Sequence, residues 1–252
     1  MNPFRALSTN ALSTTALSTT GRTTLHRLRE RGATDRSALF AVLDAGLICH
    51  LGVIIDDSPV VLPTGYGRIG ETLYLHGSTG NRSLQFAPDR DICVTVTLLD
   101  GLVCARSVFH NSMNYRSAVI FGTPRVVTDE GERLAAIEAI TEHLIPGRWE
   151  NSRKPTKKEL AATAVLALAL DEASVKIRTG EPKDEDEDYE LDYWAGVLPI
   201  TLTIGQAIPD PLLRPEIDVP PHIAALEHRD AGQSLGAASE EAVSEEAVSE
   251  EL

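Results

Sequence analysis

The hydrophobic pattern of this chain is mostly short and alternating. Val60–Thr64 is a β-branched run that includes Pro63, and Thr72–His76 sets Leu73 and Leu75 on one face against Thr72, Tyr74 and His76 on the other. The two read as a hairpin, with Gly65, Gly67 and Gly70 bracketing a turn around Arg68 and Ile69. Other β runs surround it. They are Leu47–Ile55 with Gly52 as a candidate bulge, Asp91–Leu99, and Leu102–Phe109 folding back through an Asp100-Gly101 turn. Further along come Tyr115–Val127, bent at Gly122 and Pro124, then Ala173–Arg178 and Tyr193–Ile204.

Helical periodicity occurs in three places. Thr34 or Asp35 caps a helix over Arg36–Asp44 that Gly46 ends. Asp129 opens a second, in which Leu134, Ile137, Ile140 and Leu144 form one stripe before Pro146-Gly147. Thr156 and Glu159 have capping-box spacing for a third, expected to run through Leu170. The order predicts a mainly β fold with flanking α-helices, a small antiparallel barrel of six or seven strands whose edges invite dimerisation.

Composition divides the chain further. Residues 1–24 hold the repeats ALSTN, ALSTT and ALSTT and read as a disordered Ser/Thr-rich extension. This stretch has arginines and no acid before Glu30, so it also resembles an organelle transit peptide, although a cytoplasmic location is the expectation. Residues 25–205 form the barrel domain, 206–238 a Pro-rich extended segment, and 239–252 an acidic SEEAV-repeat tail. The net charge of −14 is concentrated in Glu181–Asp192, eight acids against Lys183, and in six glutamates of the tail. Elsewhere charge is close to balanced, so no nucleic-acid-binding face is expected. Cys49, Cys93 and Cys104 lie in apolar runs without metal-ligand spacing and read as buried thiols, and no apolar run is long enough for a membrane span.

The stretch with chemistry is the loop after His76. Gly77, Ser78, Thr79, Gly80, Asn81, Arg82 and Ser83 combine permissive backbone, hydroxyls and a guanidinium at the start of a helix into Leu84. Those are the parts of a phosphate cradle, and equally of a polar loop closing a hairpin. His76 is a candidate proton donor, whereas His50, alternating along its strand, reads as structural.

PTGYG at Pro63–Gly67, LYLHGSTGNRS at Leu73–Ser83, NYRSAVIFG at Asn114–Gly122 and DYWAGVLPI at Asp192–Ile200 occur in an order that resembles the pyridoxamine 5'-phosphate oxidase-like flavin-binding split barrels, in the nitroimidazole-reductase-like branch. The resemblance spans about Arg22 to Pro199. It implies a split barrel, a homodimer with flavin at the interface, and FMN as the cofactor. It also implies phosphate contacts from Ser78, Thr79, Asn81, Arg82 and Ser83. Pro63, Thr64, Tyr66, His76 and Gly77 would line the rest of the flavin. Tyr115, Arg116 and Ser117 would reach it from a neighbouring strand, and Trp194 would lie near the ring or the dimer seam.

The arginine-rich C-terminal signature of true pyridoxamine-phosphate oxidases has no counterpart here, so that reaction is not expected. The reading is an FMN-dependent oxidoreductase with His76 as the catalytic residue and no metal. It would pass electrons from a nicotinamide donor to a nitro-aromatic or quinone acceptor, the flavin doing the chemistry. The alternatives are a flavin-binding carrier or sensor without turnover, or a deazaflavin- or haem-binding relative, with His50, His76 and His110 as candidate haem ligands. An acidic chain suits a deazaflavin poorly.

Overall fold

The computed structural model describes residues 16–17 and 20–232. The terminal ALST and SEEAV repeats lie largely or wholly outside these residues. The chain begins with β1 (Gly32–Ala33) and α1 (Arg36–Ala45), whose Asp35 carboxylate accepts from the Ala38 amide. β2 (Cys49–Ile55) and β3 (Ser58–Thr64) form a tight hairpin. Asp56 and Asp57 make its turn, both in the left-handed region, as a two-residue turn matched to strand twist requires. Gly52 pairs regularly with Val61 and Cys93, so it is not a bulge.

β4 (Tyr66–Ile69) and β5 (Thr72–Ser78) follow. This corrects the expected hairpin. Val60–Thr64 belongs to β3 and pairs with β2, while Thr72–His76 pairs with Tyr66–Ile69 in another sheet. Arg68 and Ile69 are therefore strand, and the turn moves to Gly70, at φ +57. α2 (Arg82–Phe86) and β6 (Ile92–Cys104) come next. β6 runs straight through Asp100-Gly101, with a register shift between Leu99 and Gly101, so the predicted turn is a bulge inside one long strand. Gly101 suits that place, because Leu198 O lies only 3.0 Å from where a Cβ would be.

β7 (Ser112–Gly122) and β8 (Arg125–Val126) divide the predicted Tyr115–Val127 strand between two sheets at Gly122. α3 (Glu130–Leu144) is capped by Asp129, but its buried residues are Ala136 and Ile140, with Leu134 and Leu144 at its exposed margins. The capping box of Thr156 and Glu159 is present, yet α4 (Lys157–Ala161) is short. The predicted helix through Leu170 is instead β9 (Thr163–Ala169), a strand with apolar side chains buried on both faces. β10 (Glu172–Arg178) and β11 (Gly196–Pro199) complete the strands, β11 being only part of the expected 193–204 run.

β1, β10, β7, β6, β2 and β3 lie side by side in one sheet, with β11 added to β6, and β4, β5, β9 and β8 form the second. Every pairing is antiparallel, which makes the chain a mainly β split barrel flanked by helices. One core lies between the sheets and α1 and includes Leu39, Leu43, Leu51, Val94, Ile120, Leu73 and Leu166. A second core, of Tyr74, Val165, Ala136 and Ile140, seats α3 on the outside of the four-stranded sheet. Residues 200–232, with α5 (Pro221–Ala224), fold back on themselves. Ile204 N donates to Arg229 O at 3.0 Å and Ala231 N to Leu202 O at 2.7 Å.

Candidate functional site

The loop after β5 has the predicted residues, but much of its hydrogen bonding is internal. Asn81 caps α2, its Oδ1 accepting from the amides of Ser83 and Leu84. Ser83 is buried. The amides of Thr79, Gly80 and Asn81 donate to Ala162 O, Ser78 Oγ and Ser78 O. Gly77 allows the close fold, since a Cβ there would meet Leu84 Cδ1 at 2.8 Å. What faces outward is side-chain chemistry: the Ser78 and Thr79 hydroxyls, and Arg82, whose Nη2 donates to Asp56 at 2.6 Å in an exposed ion pair. Ser78, Thr79 and Arg82 are the exposed polar groups of the loop, and Asn81 and Ser83 shape the loop that presents them.

His76 lies at the last turn of β5 before that loop. Its ring is half-buried, and Nδ1 is shut off from solvent with no hydrogen-bond partner. Burial lowers its pKa and favours the neutral imidazole. Tyr66 does not join it. Tyr66 has no exposed surface, and its hydroxyl lies 2.5 Å from Leu43 O and 2.8 Å from Gly46 O, tying α1 to β4. Tyr66 is therefore a core residue, and burial raises its pKa.

Pro63, Tyr115 and Ser117 lie on one face of the larger sheet, a surface that the sequence did not reveal. The inner residues of the larger sheet, Leu51, Val53, Val94, Val96, Ala118 and Ile120, fill the core. Alternation sends the others to the opposite face. Pro63 pairs with His50, His50 with Thr95, and Thr95 with Val119, while Ser117 pairs with Thr97 and Tyr115 with Leu99. His50, Pro63, Thr97 and Val61 are exposed there, Val61 at 64%, so no described helix covers this face. Thr64 alternates to the other side of β3 from Pro63. A cavity of about 270 Å³ opens on the same face between Arg22, Gly52, Ile54, Val61, Cys93 and Phe121.

Arg116 is committed elsewhere. It pairs with Asp100 at 2.7 Å and donates to Gly232 O at 3.1 Å, and its bonds to Asp100 hold its pKa up. Trp194 is 66% exposed and lies over Gly196 at the far end of β6. Arg82 reaches the β2–β3 turn, ten strand positions from Tyr115 in the sheet's register, roughly 30 Å along the strands. Within one protomer, the loop and the Tyr115–Ser117 strand do not meet. His50 alternates with Leu51 as expected, and its exposure, with no described helix over it, is what the sequence did not reveal. Among the described residues, no group of three or more His, Cys, Asp or Glu side chains is placed to hold a metal ion, and no helix is long and apolar enough to cross a membrane.

The family profile described as pyridoxamine 5'-phosphate oxidase matches residues 35–177, from the cap of α1 into β10. The chain belongs to this family. Two solved structures resemble it over most of its length. The flavocytochrome Anf3 from Azotobacter vinelandii is 38% identical, with 83% of this chain and 98% of that one covered and a TM-score of 0.79. The FAD and heme binding protein from Mycobacterium smegmatis is 39% identical, with 79% and 98% covered and a TM-score of 0.75. Among curated proteins, the search finds no match.

Proposed function

We propose that this member of the pyridoxamine 5'-phosphate oxidase family is a flavin-dependent oxidoreductase that binds FMN, alone or as part of FAD. The observation that carries the reading is the place of His76, half-buried with an unpaired nitrogen, directly before exposed Ser78, Thr79 and Arg82. Ser78, Thr79 and Arg82 hold a phosphate by hydroxyl and charge-assisted hydrogen bonds. The flavin, once bound, supplies two-electron transfer between a nicotinamide donor and a quinone or nitro-aromatic acceptor. His76 orients the ring or acceptor and relays a proton as a neutral imidazole. The protein works as a homodimer. Its exposed sheet face, with no described helix over it, and the roughly 30 Å between Arg82 and Tyr115 support a site completed by the partner subunit.

A second reading adds a haem to the flavin. It is favoured by the two relatives at 38% and 39% identity, one a flavocytochrome and the other an FAD and heme binding protein.

The test is an absorbance spectrum of the purified protein with mass spectrometry of what heat releases, followed by anaerobic mixing with NADH or NADPH. Flavin bands that bleach with the donor and return with a quinone are expected. A colourless protein that binds neither added FMN nor FAD overturns the flavin reading.

A further inference from the structure

We infer that His50 is the axial ligand of a haem seated on the open face of the larger sheet, with the cavity beside Gly52 taking one edge of the macrocycle. The inference rests on the second reading above and assigns it a place.

Gly52 is the first observation. It lies in the middle of β2 with an unexceptional φ, so the backbone does not call for glycine. Packing does not either, because an added Cβ would be 3.4 Å from Cys93 O and 4.0 Å from Val61 Cγ2, ordinary contacts. A strand-interior glycine costs about 0.5–1 kcal/mol, and it often marks a close-approaching ligand. What Gly52 provides is the open floor of the 270 Å³ cavity, walled by Ile54, Val61, Cys93 and Phe121.

His50 is the second. It is two residues from Gly52 on the same face, roughly 7 Å along the strand. Its imidazole is exposed and makes no hydrogen bond to any described residue. It therefore offers an unengaged nitrogen on a sheet face shared with its cross-strand partners Pro63 and Thr95, with Val119 beyond Thr95 and the cavity two residues along. The face mixes apolar Pro63, Val61, Ile54 and Val119 with the hydroxyls of Thr95 and Thr97, and the Arg22 guanidinium lines the cavity, so one imidazole on it suits a large planar ligand whose metal takes a nitrogen donor and whose rim carries acids.

Four other histidines fit less well. His110 is 3.6 Å from Glu185, at the edge of the acidic segment. His143 Nε2 is spent on Gly46 O at 2.7 Å. His76 has Nδ1 closed off and leads into the polar loop. His222 Nε2 is buried, its ring packed against Gly147.

The experiment loads the full chain with hemin and reads Soret position, haem stoichiometry and electron paramagnetic resonance, with flavin content and circular dichroism in parallel. His50→Gly should lose or shift the Soret band while keeping flavin and fold, and added imidazole should restore the wild-type spectrum. Gly52→Val, which fills the cavity at a position suited to a β-branched residue, should weaken haem uptake at least tenfold with flavin unchanged. His76→Ala and His110→Ala should keep the wild-type Soret band. An unchanged Soret band in His50→Gly, or its loss in His76→Ala or His110→Ala instead, overturns the assignment while the haem reading stands. A wild-type chain that binds flavin but takes up no hemin removes the haem reading, and this assignment with it.

Discussion

The Tyr66 hydroxyl lies 2.8 Å from the Gly46 carbonyl, deep in the core, and fastens the end of α1 to the first strand of the smaller sheet. Leu43 O shares the same hydroxyl. Tyr66→Phe leaves Leu43 O short of a donor, while Gly46 O keeps His143, and should cost about 1–3 kcal/mol in a urea titration. Flavin content should not change. Loss of flavin at unchanged stability would return Tyr66 to the ligand site.

Gly67 is where α3 rests on β4. A Cβ there would fall 2.6 Å from Ile140 N and 2.7 Å from Ala139 C, both helix backbone that cannot swing aside. Gly67→Ala should push α3 off the sheet and destabilise the chain by roughly 1–3 kcal/mol. A denaturation midpoint equal to wild type would contradict this packing.

His143 shares the Gly46 carbonyl, and burial lowers its pKa from 6.5 more strongly than that bond raises it. His76 is lowered by burial as well. Unfolded imidazoles thus bind protons that the folded ones refuse, so stability should be full above pH 6.5 and fall as pH drops below it. Urea midpoints between pH 7.5 and 5 check this. His143→Gln should flatten the slope, and an unaltered slope would move the effect to other groups.

Arg82 and His76 should separate binding from turnover. Losing one charged hydrogen bond to a phosphate corresponds to about 1.5–3 kcal/mol, so Arg82→Ala should weaken flavin binding roughly 10- to 100-fold. His76→Ala should retain flavin and lose donor-to-acceptor turnover. Flavin titration by fluorescence and steady-state rates measure both, and full turnover in His76→Ala would take His76 out of the mechanism.

Val61 stands 64% exposed on edge strand β3. If the open face is the dimer seam, Val61→Glu should place like charges across it and shift sedimentation from dimer towards monomer. A wild-type chain that sediments as a monomer would instead leave the flavin site to one protomer.

Much of the local structure was readable in the sequence, because it depends on residues only a few positions apart. Asp35 and Asp129 cap α1 and α3, Thr156 and Glu159 close their box, and Leu73 and Leu75 face the core from β5 as alternation requires. The loop that presents Ser78, Thr79 and Arg82, and the helix after it, were legible for the same reason. Tertiary structure decided what depends on distant partners. Asp100-Gly101 has the residues of a turn, but Asp100 pairs with Arg116 and β11 lies beside Gly101, so the strand continues. Thr163–Ala169 has helix-compatible residues, but a slot between β5 and β8 buries both of its faces as a strand. Thr72–His76 found its partner in Tyr66–Ile69 rather than in Val60–Thr64, and His50 was left exposed on a face that no described helix covers. Caps and periodicity are settled within a turn or two of chain. Strand pairing and exposure are settled by competition among segments far apart in sequence, for the same core and the same backbone hydrogen bonds.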